Sequence, residues 1–530
     1  MIGNFESRRR IGLGTAYLVL IALAVSPLLW VSVPALIDYP NHLARMWILT
    51  HPDLPALATN YEANWRVVPN LAMELIVPGL AIFMSVEAAG RVFIAATFML
   101  LVLGTVALRR AMHGKVGPMP LLSLLFLFNA ALFWGFLNYL FGLGVAFLAF
   151  AFWLSTSRWR PDLRLASFAV IAALLLLLHL FALGLYGLLV VAYEAWIWWR
   201  ERPRRLGRLV THCIRFIQFG PAVLLWLSGP QVDSAAEIHY GEPIRKLYAA
   251  MAPFALGFPP ALLPWITLAL GLCAVLSVHR RYGIGLAPAM RWPLLAVTAA
   301  ALVMPFSLHG SFFADYRLPV ALPFLVIAAA RIEPGGRPVL GVMALSALLI
   351  FGVRIWATTI LWRHTDHSIA EFRTLDSSIA EGARLLVFRD PMPLDWRWPE
   401  TDPSDWILPD LQSFNQLGMF AIIDRGAFVP GLFTEWTSVR PTARNRVLAQ
   451  FPCGQDARGQ PVSDQPAARD PVQRCQNLES FDYLLWIDFG RRSQPKPAYL
   501  QAVASGSYFT IYRIAQTKTG QTGSSERAPP

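Results

Sequence analysis

Charge is scarce in this chain. Only 15% of its 530 residues are Asp, Glu, Lys or Arg, and mean hydropathy is +0.47. A soluble protein carries about a quarter charged residues, so a wholly soluble globular class is excluded. Acids are scarcer than bases, 33 against 45. Cysteine is nearly absent, with four residues and no Cys-x-x-Cys zinc pattern. No Walker A loop occurs, which excludes an ATP-driven pump within this chain. His-Glu-x-x-His and Gly-x-Ser-x-Gly are missing, as is the Asp-x-Asp pair of many nucleotide-sugar transferases. No internal repeat stands out, which counts against a transporter built from repeats.

What the chain does have is apolar runs. Many approach or exceed the roughly 18–20 residues needed to cross a bilayer, so the fold class is a polytopic α-helical membrane protein. The net charge of +12 sits in short clusters between these runs, such as Arg8-Arg9-Arg10, Arg109-Arg110 and His279-Arg280-Arg281. That is the positive-inside pattern, with membrane lipid and not nucleic acid as the partner. It places the N-terminus in the cytoplasm and gives about 11–12 spans. Residues 11–33 form the first span and are read as uncleaved. Residues 118–155 and 165–200 each divide into two spans, turning near Asn138 and His179. Further spans are expected near 90–108, 214–229, 262–278, 292–307, 318–331 and 338–360. Residues 69–86, broken by Pro69 and Pro78, are read as interfacial or re-entrant.

The membrane domain thus covers 1–361, with a long first outer loop at 34–68. Residues 362–514 become mixed in polarity and read as an extracytoplasmic α/β domain. Its expected strands lie at 384–388, 419–423, 482–487 and 507–512, with a helix at 497–504. The Thr/Ser/Gly/Pro-rich end, 515–530, reads as a disordered tail. Cys453 and Cys475 fall in the outer domain, where oxidation is allowed, and are read as a disulfide.

One motif stands out. The first span runs directly into Asp38-Tyr-Pro-Asn-His42-Leu-Ala-Arg45. On a helix these charged residues fall at i, i+4 and i+7, on one face. Charge placed at a membrane boundary is a functional-site hypothesis. On the topology drawn from Lys and Arg alone, Arg66, Asn138, Tyr139, Asp315 and Arg317 also lie outside, and His179 at an outer turn. Each has a plainer role. Asp38 could cap a helix that Pro40 opens. Asn138 and Tyr139 suit a turn and an aromatic belt, His179 a buried hydrogen bond, and Asp315 with Arg317 a local ion pair. Glu74, inside an apolar stretch, needs a partner.

The chain resembles the GT-C class of membrane glycosyltransferases, which use polyprenyl-phosphate-linked sugars and include the aminoarabinose and protein mannosyl transferases. Asp38 directly after span 1 carries this resemblance. So do Val68-Pro69-Asn70-Leu-Ala-Met with Ser85-Val-Glu87-Ala-Ala-Gly-Arg91, then Asp315-Tyr-Arg317-Leu-Pro319, and a closing Phe-Thr-x-Tyr-Arg strand at Phe509 to Arg513. It implies an inverting transferase in the bacterial cytoplasmic (inner) membrane, with a periplasmic C-terminal domain. The donor would be a polyprenyl-phosphate-linked sugar, and the acceptor an envelope lipid, glycan or protein. Asp38 would be the general base, or would orient the acceptor nucleophile toward the anomeric carbon. Arg45, Arg66 or Arg317 would hold the carrier phosphate, and His42 the phosphate or acceptor. A divalent metal on Asp38 and His42 is a candidate cofactor. Two other functions compete: a transporter or flippase for a lipid-linked or anionic substrate, and a non-catalytic envelope assembly protein.

Overall fold

The computed structural model describes residues 2–201, 206–229, 238–254, 284–308, 311–332, 337–390, 414, 416–434, 437–450, 453, 475, 477–488 and 498–515. The expected span at 262–278 and the tail beyond 515 lie outside them.

The membrane half is built on α1 (Ile2–Val25), α2 (Tyr39–Thr50), α3 (Pro55–Asn60), α4 (Ala72–Ala81) and α5 (Val86–His113). It continues through α6 (Ala130–Phe133), α7 (Leu137–Ser155), α8 (Pro161–Leu178), α9 (Leu180–Arg200), α10 (Leu206–Ile214) and α11 (Gly220–Ser228). α12 (Ile244–Met251), α13 (Arg291–Val303), α14 (Ala314–Ala329) and α15 (Arg337–Leu375) complete it. Among the described residues, seven helices are long and apolar enough to cross a membrane. The protein is therefore a multi-pass membrane protein. α4, with ten residues, is about 15 Å long and cannot cross alone. Residues 118–133 differ from expectation. They form a short 3-10 helix, Met119–Phe126, followed by α6, and not a full span. Their Pro118, Pro120 and Asn129 favour turns over a continuous helix. The turn expected at His179 is found, separating α8 from α9.

Small residues let the helices approach closely. A methyl group on Gly104 of α5 would stand 2.7 Å from the Phe147 Cβ of α7, and one on Gly144 would stand 2.7 Å from the Leu100 Cβ.

The C-terminal half contains a four-stranded sheet of β4 (Leu385–Arg389), β6 (Tyr483–Ile487), β7 (Leu500–Ser505) and β8 (Phe509–Ile514). Its order is β4-β6-β8-β7, with only the β4–β6 pair parallel. β6 reads Tyr-Leu-Leu-Trp-Ile and is buried throughout, as a central strand should be. Two elements depart from the sequence reading. Residues 419–423 belong to a helix, α16 (Met419–Arg425), ended by Gly426 at φ +59°. Residues 500–504, expected as helix, are strand β7, because pairing with β8 supplies their hydrogen bonds. Cys453 and Cys475 are joined by a disulfide, Cα to Cα 4.2 Å.

The first loop is threaded into this second half. β1 (Tyr61–Ala63) pairs antiparallel with β5 (Val439–Pro441), while β2 (Ile284–Leu286) and β3 (Ala330–Ile332) form a separate antiparallel pair in the membrane half. Asn41 of α2 donates to Gly431 O and accepts from Phe433 N, each at 3.0 Å. Asn60 donates to Gly382 O and Gly426 O. α15 runs 39 residues without a break, from its apolar half into the C-terminal half.

Candidate active site at the end of the first span

Pro40 opens α2, and Asp38 takes the N-cap position before it. Its carboxylate makes no capping hydrogen bond, so capping does not account for the residue. The backbone is fixed instead. Ile37 N donates to Phe133 O at 2.8 Å, and Asp38 N to Trp134 O at 3.2 Å. Gly135, at φ +85°, lies flat on Asp38, and a Cβ there would be 2.9 Å from Asp38 N. Only glycine fits both the angle and the space. Upstream, Asp366 of α15 accepts from Ser32 N (2.9 Å) and Val33 N (2.8 Å), while Arg91 of α5 donates to Val31 O and Ser32 O.

Asp38 is half-buried, and burial pushes its carboxyl up to about 7 against the pull of Arg45 and Arg317. A carboxyl tuned to neutrality is poised for proton transfer at physiological pH.

His42 and Arg45 share a face of α2, but that face turns inward. Arg45 is 1% exposed and Glu74 of α4 also 1%. Arg45 Nη1 contacts Glu74 Oε1 at 2.5 Å, and Arg45 Nη2 meets His42 Nδ1 at 2.5 Å. His42 Nε2 lies 3.2 Å from Gly135 O. Because a guanidinium only donates, Nδ1 is the acceptor and Nε2 carries the proton to Gly135. Burial and Arg45 hold His42 well below its usual pKa, so the ring stays neutral. Glu74, Arg45, His42 and Gly135 therefore form one chain ending on the backbone beneath Asp38. Both His42 nitrogens are engaged, so Asp38 with His42 does not fit a divalent ion here. Among the described residues no group of three or more His, Cys, Asp or Glu could hold one.

Arg317 of α14 reaches the site from another side. It interacts electrostatically with Asp38, Tyr139 and Asp315. Its guanidinium donates to Ser311 Oγ at 2.9 Å and lies 4.4 Å from the Phe181 ring and 4.8 Å from Phe136. Tyr139 OH donates to Arg317 O at 2.5 Å, and the Tyr139 ring meets His179 edge-on at 5.5 Å. His179 Nδ1 accepts from Phe181 N at 3.1 Å, capping α9. Asn138 is spent on structure: it accepts from Met73 N and donates to Asn70 O, fixing the entry to α4. Asp315 is fully buried and makes no hydrogen bond to Arg317, so no local pair forms. Arg66 is exposed after β1, and no hydrogen bond or ion pair joins it to the Asp38 group.

Gly135, Asp366 and the aromatic ring residues Trp134, Phe136 and Phe181 were not legible as site residues. Glu74 was signalled only by its charge in an apolar run.

Fold and site together define a polytopic membrane protein with a sheet-bearing C-terminal domain, the arrangement the GT-C resemblance implied. The solved structure of ArnT from Cupriavidus metallidurans in the apo state has this fold, with TM-score 0.52 over 96% of this chain and 98% of that one, at 12% identity. The structure of ArnT bound to undecaprenyl phosphate aligns at TM-score 0.43 over 95% of this chain and 99% of that one, at 14% identity. At these identities the likeness is one of fold. No protein-family model and no curated protein matches the chain.

Proposed function

We propose that this protein transfers a sugar from a polyprenyl-phosphate-linked donor to a cell-envelope acceptor at the outer face of the cytoplasmic membrane. The observation that carries the reading is Asp38: a carboxyl tuned to about 7, held by backbone contacts and not consumed by any cap.

In this reading the acceptor hydroxyl attacks the anomeric carbon in one displacement, which inverts that centre. The acceptor proton passes to Asp38. The bond from the anomeric carbon to the carrier phosphate oxygen breaks, and the phosphate leaves with the electron pair. Arg317 supplies positive charge to that anion. Arg45, already held by Glu74 and His42, positions Asp38 through Gly135 and does not clamp phosphate. The C-terminal half covers the site through α2 and helps select the acceptor. The cytoplasmic N-terminus follows the positive-inside pattern, while the bacterial inner membrane and the periplasmic placement are what the GT-C resemblance implies.

The test is mass spectrometry of envelope lipids and glycans in wild type, a deletion strain, and Asp38→Asn at normal membrane levels. Both altered strains should lose one sugar modification while its lipid-linked donor persists. A deletion phenotype with a wild-type Asp38→Asn profile would instead favour an assembly role.

A further inference from the structure

A second group of side chains near Asp38 carries hydrogen-bonding capacity that the protein does not use. Asp315, in the first turn of α14, is 0% exposed, and among the described residues no other residue donates a hydrogen bond to either carboxylate oxygen. Arg245, on α12, has a buried Nε and a buried Nη2, neither with a hydrogen-bond partner among the described residues. Leaving such buried groups without a partner is unfavourable, the more so when they are charged.

The two residues belong to one neighbourhood. Arg245 exerts the largest charge attraction on Asp315, ahead of Lys246 and Arg317. Its guanidinium lies 3.6 Å from the Phe306 ring and 5.3 Å from Phe313. Phe306 O accepts from Ala314 N at 2.9 Å, and Phe313 and Ala314 lead directly into Asp315. Phe313 sits at φ +54°, a strained angle for an aromatic residue. That angle accompanies a ring packed on Trp134 at a centroid distance of 4.0 Å. Trp134 O in turn accepts from Asp38 N. A continuous wall thus runs from Arg245 through Phe306, Phe313 and Trp134 to Asp38.

We propose that Asp315 and Arg245 form a subsite for the hydroxyl groups of the sugar being transferred. This rests on the transferase reading and adds to it the part of the donor that is recognised. The chemistry selects hydroxyls by elimination. A cation would enter a region already holding Arg245, Lys246 and Arg317. An anion would be brought against a buried carboxyl. A neutral hydroxyl suits both residues, since its proton goes to the carboxylate while its oxygen accepts from the guanidinium. Lys246 is not available for this role, because its ammonium is bonded to Met304 O.

The experiment measures binding of short-chain polyprenyl phosphate, and of the same carrier bearing a pentose, a hexose or an amino sugar, to purified full-length protein in nanodiscs. Wild type should bind one glycosylated carrier about tenfold tighter than the bare carrier, the scale of one or two hydroxyl hydrogen bonds. Asp315→Asn and Arg245→Gln should each abolish that preference and leave affinity for the bare carrier unchanged. The half-exposed Arg245 provides the informative variant if Asp315→Asn fails to fold. A preference retained in the folded variants, or a wild type that binds all four carriers equally, overturns the subsite. A wild type that binds none of them overturns the transferase reading as well.

Discussion

Two acids in this molecule, one buried and one half-buried, are handled in opposite ways. Glu194 of α9 is 1% exposed and fully engaged. Its Oε1 accepts from Trp153 Nε1 at 2.9 Å, and its Oε2 accepts from His212 Nδ1 at 2.7 Å and from Arg215. Arg164 completes the group, donating to Trp153 O at 2.8 Å and lying 3.6 Å from the Trp153 ring centroid. This cluster fastens α7, α8, α9 and α10 together, and its acid has no acceptor left over. Asp38 is fixed with equal care, but only through its backbone, and its carboxyl is left unspent. An acid whose oxygens are satisfied is a fastener. One held in place by other means is kept for something that arrives.

That contrast can be broken in several ways, taken from the largest effect down. Asp38→Asn should lower sugar transfer about 10²- to 10⁴-fold, the range for losing a general base. It should not lower Tm. Because the Asp38 pKa is raised on folding, ionisation opposes the folded state. The amide therefore gains stability relative to wild type as pH rises from about 4 to about 7, and holds that gain above. Glu194→Ala should do the reverse. It strands Arg215 and His212, so stability should fall by about 3–5 kcal/mol while transfer per folded molecule is kept. A thermal-shift assay paired with a turnover assay separates the two. If Glu194→Ala abolished turnover in the folded fraction, the contrast would fail.

The wild-type transfer rate should rise about tenfold per pH unit and level off above about pH 7, as the Asp38 carboxyl ionises. A flat profile from pH 5 to 8 would remove Asp38 as the base. Gly135→Ala sharpens the comparison at the smallest scale. The left-handed angle alone costs about 1–2 kcal/mol, and the added methyl presses on Asp38 N. Turnover should fall more than KM rises, since geometry is disturbed and not binding.

Much of this was legible in the sequence, for definable reasons. Asp38 was visible because a charge beside an apolar run is costly and therefore conspicuous. His42 and Arg45 were found by helical spacing, which says that they share a face but not what the face meets. Their partner, Glu74, lies 29 residues away from Arg45, and only packing brings them together. Gly135 was unreadable, since a glycine in a turn is ordinary until its neighbour is known. The helix at Met419–Arg425 reads as a strand in sequence because a short apolar run fits either period. Arg66 shows the limit of a compartment reading: sharing the first loop with Asp38 does not by itself bring a side chain to it.

The contact of Asp366 with Ser32 and Val33 has a mechanical consequence. Asp366 belongs to a helix of 39 residues, about 58 Å of stiff rod, and sits about 14 Å from the end that carries the chain into the sheet. The same rod thus grips the backbone that delivers Asp38. Turning or sliding it would drag Ser32 and Val33, and the carboxyl after them. The sheet domain therefore holds one end of a lever whose other arm is the reacting group.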